Sequence, residues 1–175
     1  MVYSLKINER SFKMRKKEVR DNLTVEDARI GFRNFAGKEA KYNKAGERNF
    51  CVFFDYEDGV KIEDIGWNVK WLDPVEEGEK PTPYLQVAVS YRNFPPKILL
   101  ISGNGKTLLD EGTVNMLDWS EIKTVDLVIR PYNWEVSGKT GVKAYVKSMY
   151  VTIIEDEFAS KYYDVPDSSE IPFED

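Results

Sequence analysis

Apolar and polar residues alternate with a period of two along much of the chain, which is how a strand with one buried face reads. Residues 141–154 show it best. Val142, Ala144, Val146 and Ser148 lie on one side, and Lys143, Tyr145 and Lys147 on the other. Residues 124–132 repeat it, with Val125, Leu127 and Ile129 opposite Arg130 and Tyr132. Residues 84–91 put Leu85, Val87 and Val89 inward. Residues 29–36 set Ile30 and Phe32 against Arg29, Arg33 and Phe35. In residues 48–55 the run Phe50-Cys51-Val52-Phe53-Phe54 predicts a strand buried on both faces. Residues 97–102 and 106–109 predict a hairpin across Gly103-Asn104-Gly105. Residues 67–72 predict a strand with Trp67, Val69 and Trp71 on one face, either packed in the core or free to stack bases. A further short strand is expected over residues 2–7.

Helical signals are fewer. Residues 110–117 are the best helix candidate, and residues 57–65 predict a helical turn ended by Gly66. Gly37 and Gly46 bracket a loop over residues 37–47, and three prolines mark residues 73–83 as an exposed loop. Many strands, Gly-rich turns and a short helix ahead of a final hairpin predict an all-β domain with one or two short helices. An OB-like Greek-key barrel with insertions fits this order, with a sandwich as the alternative. The expected division is a basic arm or edge strand over residues 1–23, a body over 24–160 and an acidic, disordered tail over 161–175.

Composition narrows the chemistry. The 175 residues include no His and one Cys, Cys51. That excludes His general bases, Ser-His and Cys-His nucleophiles, His-ligated metals and any intramolecular disulfide. No cofactor is expected, no catalytic residue is nominated, and a reducing, cytoplasmic setting fits the single thiol. No apolar run of membrane-spanning length occurs, so no membrane partner is expected. Gly103-Asn104-Gly105-Lys106-Thr107 ends like a phosphate loop, but Leu100 stands where its first Gly belongs. Asp55, Glu57, Asp58, Glu63 and Asp64 are too irregularly spaced to predict a metal site over a solvated acidic surface.

Charge is segregated. The formal net charge is -5, yet from Glu155 onward eight acids stand against Lys161 alone. Residues 1–154 therefore hold 24 basic and 22 acidic side chains. A mildly basic body with an acidic tail suits nucleic-acid binding. Arg10, Lys13, Arg15, Lys16, Lys17 and Arg20 form a basic run that is either a solvated arm or a phosphate contact. On the body, cations and rings recur together: Arg29, Arg33, Phe35, Lys38, Lys41, Tyr42, Lys44, Arg48, Arg130, Tyr132, Trp134, Lys139, Lys143, Tyr145 and Lys147. On the strands they lie opposite the apolar residues. Rings stack bases of any sequence and cations track phosphates, so this set is the candidate single-strand site.

The tail carries Glu170-Ile171-Pro172-Phe173. This resembles the acidic Ile-Pro-Phe tip with which bacterial single-stranded DNA-binding proteins recruit replication and repair enzymes. There Phe is the last residue, whereas here Glu174 and Asp175 follow. The stretches Arg29-Ile30-Gly31-Phe32-Arg33-Asn34-Phe35-Ala36-Gly37, Arg48-Asn49-Phe50-Cys51, Gly66-Trp67-Asn68-Val69-Lys70, Arg130-Pro131-Tyr132-Asn133-Trp134-Glu135 and Gly141-Val142-Lys143-Ala144-Tyr145 resemble bacteriophage-encoded single-stranded DNA-binding proteins, over about residues 24–165. The resemblance implies an OB fold and coating of single strands in phage replication or recombination. The expected partners are single-stranded DNA, replication or recombination proteins held by the tail, and a second copy of the chain in a homo-oligomer. A phage structural or adaptor protein is the alternative, and a carboxylate-metal nuclease a third.

Overall fold

The computed structural model describes residues 18–155. The tail motif, the expected strand over residues 2–7 and all of the basic run except Arg20 lie outside the described residues. Nine strands form one sheet: β1 (Leu23–Val25), β2 (Arg29–Asn34), β3 (Arg48–Phe53), β4 (Lys70–Leu72), β5 (Thr82–Val89), β6 (Lys97–Ser102), β7 (Gly105–Leu109), β8 (Ile122–Val136) and β9 (Lys139–Ile153). One α-helix, α1 (Tyr56–Ile65), and one 3₁₀ turn, Val114–Asp118, complete the described body.

The strand order is β1-β8-β9-β5-β3-β2, with β4 added to β5, and β6 to β9. Most pairs are antiparallel, but β9 runs parallel to both β5 and β6. This is an OB-like Greek-key arrangement, as the order of elements predicts. The sheet is not closed by a ladder. Its two ends, β1 and β2, are consecutive in the chain, and Ala28 N donates to Val125 O across the gap at 2.8 Å.

The core lies inside this curved sheet. Phe50 and Val52 of β3, Leu85, Val87 and Val89 of β5, Val125, Leu127 and Ile129 of β8, and Val146, Met149 and Val151 of β9 are all buried there. Val19 joins them, clamped by Asn133, which accepts from Val19 N at 3.0 Å and donates to Val19 O at 2.7 Å. The packed body thus reaches back before residue 24. Cys51 is buried, and burial, only partly offset by Lys70, raises its thiol pKa above the ordinary value.

Two bulges change the expected alternation. In β2 the register slips between Gly31 and Asn34, and Phe32 takes φ 45°. The slip swaps the faces beyond it. Phe32 turns outward, while Phe35 is 0% exposed and stacks on Phe50 at 5.0 Å. The second slip falls between Val128 and Ile129, opposite Ser148 and Val146. The buried set of β9 accordingly moves from Ala144 and Val146 to Met149 and Val151.

The helices also depart from expectation. The α-helix is the acidic segment. Glu57 and Asp58 occupy its first turn, where they favour the helix dipole, and Gly66 stops it at φ 126°. The expected helix over residues 110–117 shrinks to the 3₁₀ turn. Asp110 Oδ1 accepts from Gly112 N at 2.9 Å and from the Thr113 hydroxyl at 3.0 Å, which offers the backbone a turn in place of a helix. Val114 and Leu117, three apart, are its buried pair.

Residues 67–72 form a strand only from Lys70. Trp67 is 3% exposed, so core packing accounts for it. Trp71 is half-buried against the core, and its Nε1 donates to Glu63 Oε2 at 2.9 Å. β8 runs on past residue 132, the end of its alternating stretch, and β9 begins before residue 141, so the two form a long ribbon. The turn itself is Ser137-Gly138, both at positive φ, which suits the right-handed twist of a two-residue hairpin. Gly103-Asn104-Gly105 closes the β6–β7 hairpin as expected.

Candidate nucleic-acid interface

The outward face of β3, β5 and β9 forms the floor of an open groove of about 940 Å³. Its position follows from the alternation. Asn49, Gln86, Ala88 and Tyr145 point away from the buried Phe50, Leu85 and Val87, and the ladder sets Asn49, Ala88 and Tyr145 in one row. The groove walls carry five cations, Lys44, Arg48, Lys70, Arg92 and Lys143, against two carboxylates, Glu47 and Glu111. Tyr91, Trp134 and Tyr145 supply rings, and the largely buried Trp67 also lines the groove.

Tyr145 is the centre of a cation–ring cluster at one end. Arg130 is its cross-strand partner, and the guanidinium carbon lies 5.0 Å from the Tyr145 centroid and 5.1 Å from that of Phe94. Lys143 Nζ stands 5.2 Å from the same ring. Tyr132 meets Tyr145 edge-on at 6.2 Å.

Trp134 is fixed by its neighbour across the ribbon, Gly141. A Cβ at position 141 would collide with the indole, so glycine lets the ring lie flat on the backbone. At the opposite wall Arg48 bonds Glu111 Oε1 at 3.4 Å and faces the Tyr91 ring at 5.7 Å. Arg48 Nε and the Tyr91 hydroxyl are buried without a protein partner among the described residues. Burial pushes the Tyr91 hydroxyl up to about 12; Arg48 opposes the shift, and Asp110 and Glu111 add to it. The hydroxyl therefore stays a neutral donor at any working pH.

The structure brings together Lys44, Arg48, Arg130, Tyr132, Trp134, Lys143 and Tyr145 of the sequence-based set. It does not bring in the rest. Phe35 is in the core and is removed from the face. Arg33 is half-buried and donates to Leu117 O and Ser120 O, both at 2.9 Å, so it caps the end of the 3₁₀ turn. Arg29 pairs with Asp55 at 3.3 Å, away from the groove. Lys38, Lys41 and Tyr42 are exposed on the loop beside the groove, with Tyr42 at 89%. That loop is pinned by Asn43, whose Nδ2 donates to Lys38 O and Glu47 O while its Oδ1 accepts from the floor residue Asn49 at 2.6 Å. Lys139 sits beside the ribbon turn, and Lys147 is exposed at the β9 bulge.

Lys70, Tyr91, Arg92 and Phe94 were missed. Lys70 was hidden in a segment read as a Trp-bearing strand. Tyr91 was read as the end of the strand over residues 84–91, on its inward side, whereas β5 ends at Val89; Arg92 and Phe94 lie in the loop beyond, where periodicity says nothing.

These features define a mostly β, OB-like domain with an open groove of cations and rings on its sheet face. The chain belongs to the phage ssDNA-binding domain family, whose model matches residues 13–173. Among solved structures, a C-terminal truncation of the single-stranded DNA-binding protein from bacteriophage Enc34 is similar in fold. It is 12% identical, with 77% of this chain and 87% of that chain covered and a TM-score of 0.50. The Enc34 protein in complex with ssDNA covers 78% of this chain and 89% of its own, at 14% identity and TM-score 0.48. Gp2.5, a single-stranded DNA-binding protein of bacteriophage T7, covers 88% and 99% at 10% identity and TM-score 0.34. No curated protein matches the sequence.

Proposed function

We propose that the protein is a non-catalytic coat for single-stranded DNA in phage replication or recombination, and that the groove holds the strand. One observation carries this reading: five cations and the rings of Tyr91, Trp134 and Tyr145 line one open groove over the outward face of β3, β5 and β9. Tyr145, Trp134 and Tyr132 stack bases. Lys44, Arg48, Lys70, Arg92, Arg130 and Lys143 take phosphates, with Lys38, Lys41, Lys139 and Lys147 able to reach the backbone outside the groove. Such contacts read no sequence, because every base has a π face.

The acidic tail recruits replication or recombination enzymes through Glu170, Ile171, Pro172 and Phe173, and competes with DNA for the groove when no DNA is bound. The body, residues 24–160 with its extension to Val19, acts as one binding unit in the host cytoplasm. Among the described residues no helix is long and apolar enough to cross a membrane.

The test is a titration of fluorescent single-stranded and duplex oligonucleotides at two salt concentrations. Tighter binding to the single strand is expected, with log K falling against log salt by about 0.7 for each phosphate neutralised. Salt-insensitive or absent binding would overturn the reading and favour an adaptor role.

A further inference from the structure

Outside the groove, three rings line up across β2, β3 and β5. Phe32 and Phe53 lie 5.8 Å apart between centroids, and Phe53 and Tyr84 5.9 Å. Strand parity puts Phe53 and Tyr84 on the groove's own face, and the bulge in β2 turns Phe32 out toward Phe53. Phe53 follows Asn49 and Cys51 on the outward side of β3, and Tyr84 precedes Gln86 and Ala88 on that of β5. The Phe53–Tyr84 row stands four residues from the Asn49–Ala88–Tyr145 row, about 13 Å along the strands.

Lys70 joins the two regions. It is paired with Tyr84 in the ladder, lines the groove, and donates from Nζ to Gln86 Oε1 at 3.3 Å. At the far end Arg29 is paired with Phe53, and its charge is shared with Asp55.

Two backbone features expose this shelf. Phe32 is 68% exposed and sits at φ 45°. A bulky side chain in the left-handed region is strained, and such strain clusters at functional sites. Gly31 leaves the space into which Phe53 leans, since a Cβ there would come within 2.7 Å of Phe53 Cε2. The rows Arg29–Phe53–Tyr84–Lys70 and Gly31–Cys51–Gln86 contain no Leu, Ile or Val. Ring faces with a cation at each end suit stacked bases and their phosphates.

We propose that Phe32, Phe53 and Tyr84 form a second base-stacking subsite, which takes an unpaired polynucleotide onward from the groove past Lys70. This rests on the reading of the groove as the single-strand site, and it lengthens the strand that one domain occupies.

The test is an oligothymidine series of increasing length, bound to the wild type, Phe32→Ser and Phe32→Tyr. A second arm cross-links oligonucleotides carrying 5-iododeoxyuridine at either end and maps the products by mass spectrometry. Phe32 is largely exposed, so its replacement leaves no cavity. In the wild type, affinity should step up once the oligonucleotide outgrows the groove, and one end should cross-link to Phe32, Phe53 or Tyr84. Phe32→Ser should shrink that step about fivefold or more, and Phe32→Tyr should restore it. If the wild type binds no oligonucleotide at any length, the groove reading falls and takes this one with it. If the wild type binds but the step is the same in Phe32→Ser and no shelf residue cross-links, the subsite alone is overturned. A change in self-association with an unchanged step also overturns it, in favour of a contact between copies.

Discussion

At the residue scale, two phenyl-bearing positions that look alike in sequence do different work. Tyr145 stands over the groove between Arg130 and Lys143, while Phe35 stacks on Phe50 inside the core. Replacing Tyr145 and Lys143 together by Ala should weaken single-strand binding by roughly five- to 150-fold, from about 1–3 kcal/mol per stacked base, with little change in the urea midpoint. Phe35→Ala should do the reverse. It should cost about 3–5 kcal/mol of stability, read from the same urea curves. Tyr91 sets a pH dependence. Its hydroxyl pKa is raised to about 12 in the fold from the ordinary tyrosine value of 10.0. The unfolded chain therefore loses this proton first as pH rises. The stability tied to the protonated group is complete below pH 10 and lost between pH 10 and about 12. Urea melts of the wild type and Tyr91→Phe should diverge across that window, with the wild type falling faster.

At the scale of elements, the decisive feature is the long ribbon of β8 and β9. Its inner half supplies core residues, and its outer half supplies Trp134 and Lys143 to the groove. Gly141→Val should displace the Trp134 indole. A several-fold loss of single-strand affinity, with an altered tryptophan emission spectrum and a retained circular-dichroism spectrum, is the expected result. The sequence makes the ribbon's inner half legible, because Val125, Leu127 and Ile129 alternate cleanly. It hides the outer half, where exposed residues on both faces leave no period to count. It hides the bulges too. A strict period of two puts Phe35 beside Arg33 on the outer face, and only the left-handed Phe32 reverses that. The groove's rings and cations on β9 were legible from Lys143-Ala144-Tyr145. Arg92 and Phe94 were not, since only folding carries a loop residue to a site.

For the molecule as a whole, charge is divided between a groove where cations outnumber carboxylates and a C-terminal stretch rich in acids. Deleting residues 164–175 should leave single-strand affinity unchanged or raise it, most at low salt where screening is weakest. The same deletion should abolish capture of a replication or recombination enzyme. Pull-down and oligonucleotide titration of one truncated preparation check both, and a large drop in DNA affinity would contradict the tail's proposed role. The order of elements along the chain, strands first and the ribbon late, was enough to predict the OB-like plan. The gap between β1 and β2 was not, because nothing in residues 26–28 says that the two ends of the sheet meet there.

The position of β9 governs how the domain can be made. This strand alone lies against β5, β6 and β8, and two of those three contacts are parallel pairings between segments distant in the chain. It is also the last of the described strands to leave the ribosome. Until then the nascent polypeptide holds β5 and β6 with open edges, and slow non-local closure must wait for its final piece. The groove, whose floor needs Tyr145, cannot exist before synthesis has passed that point.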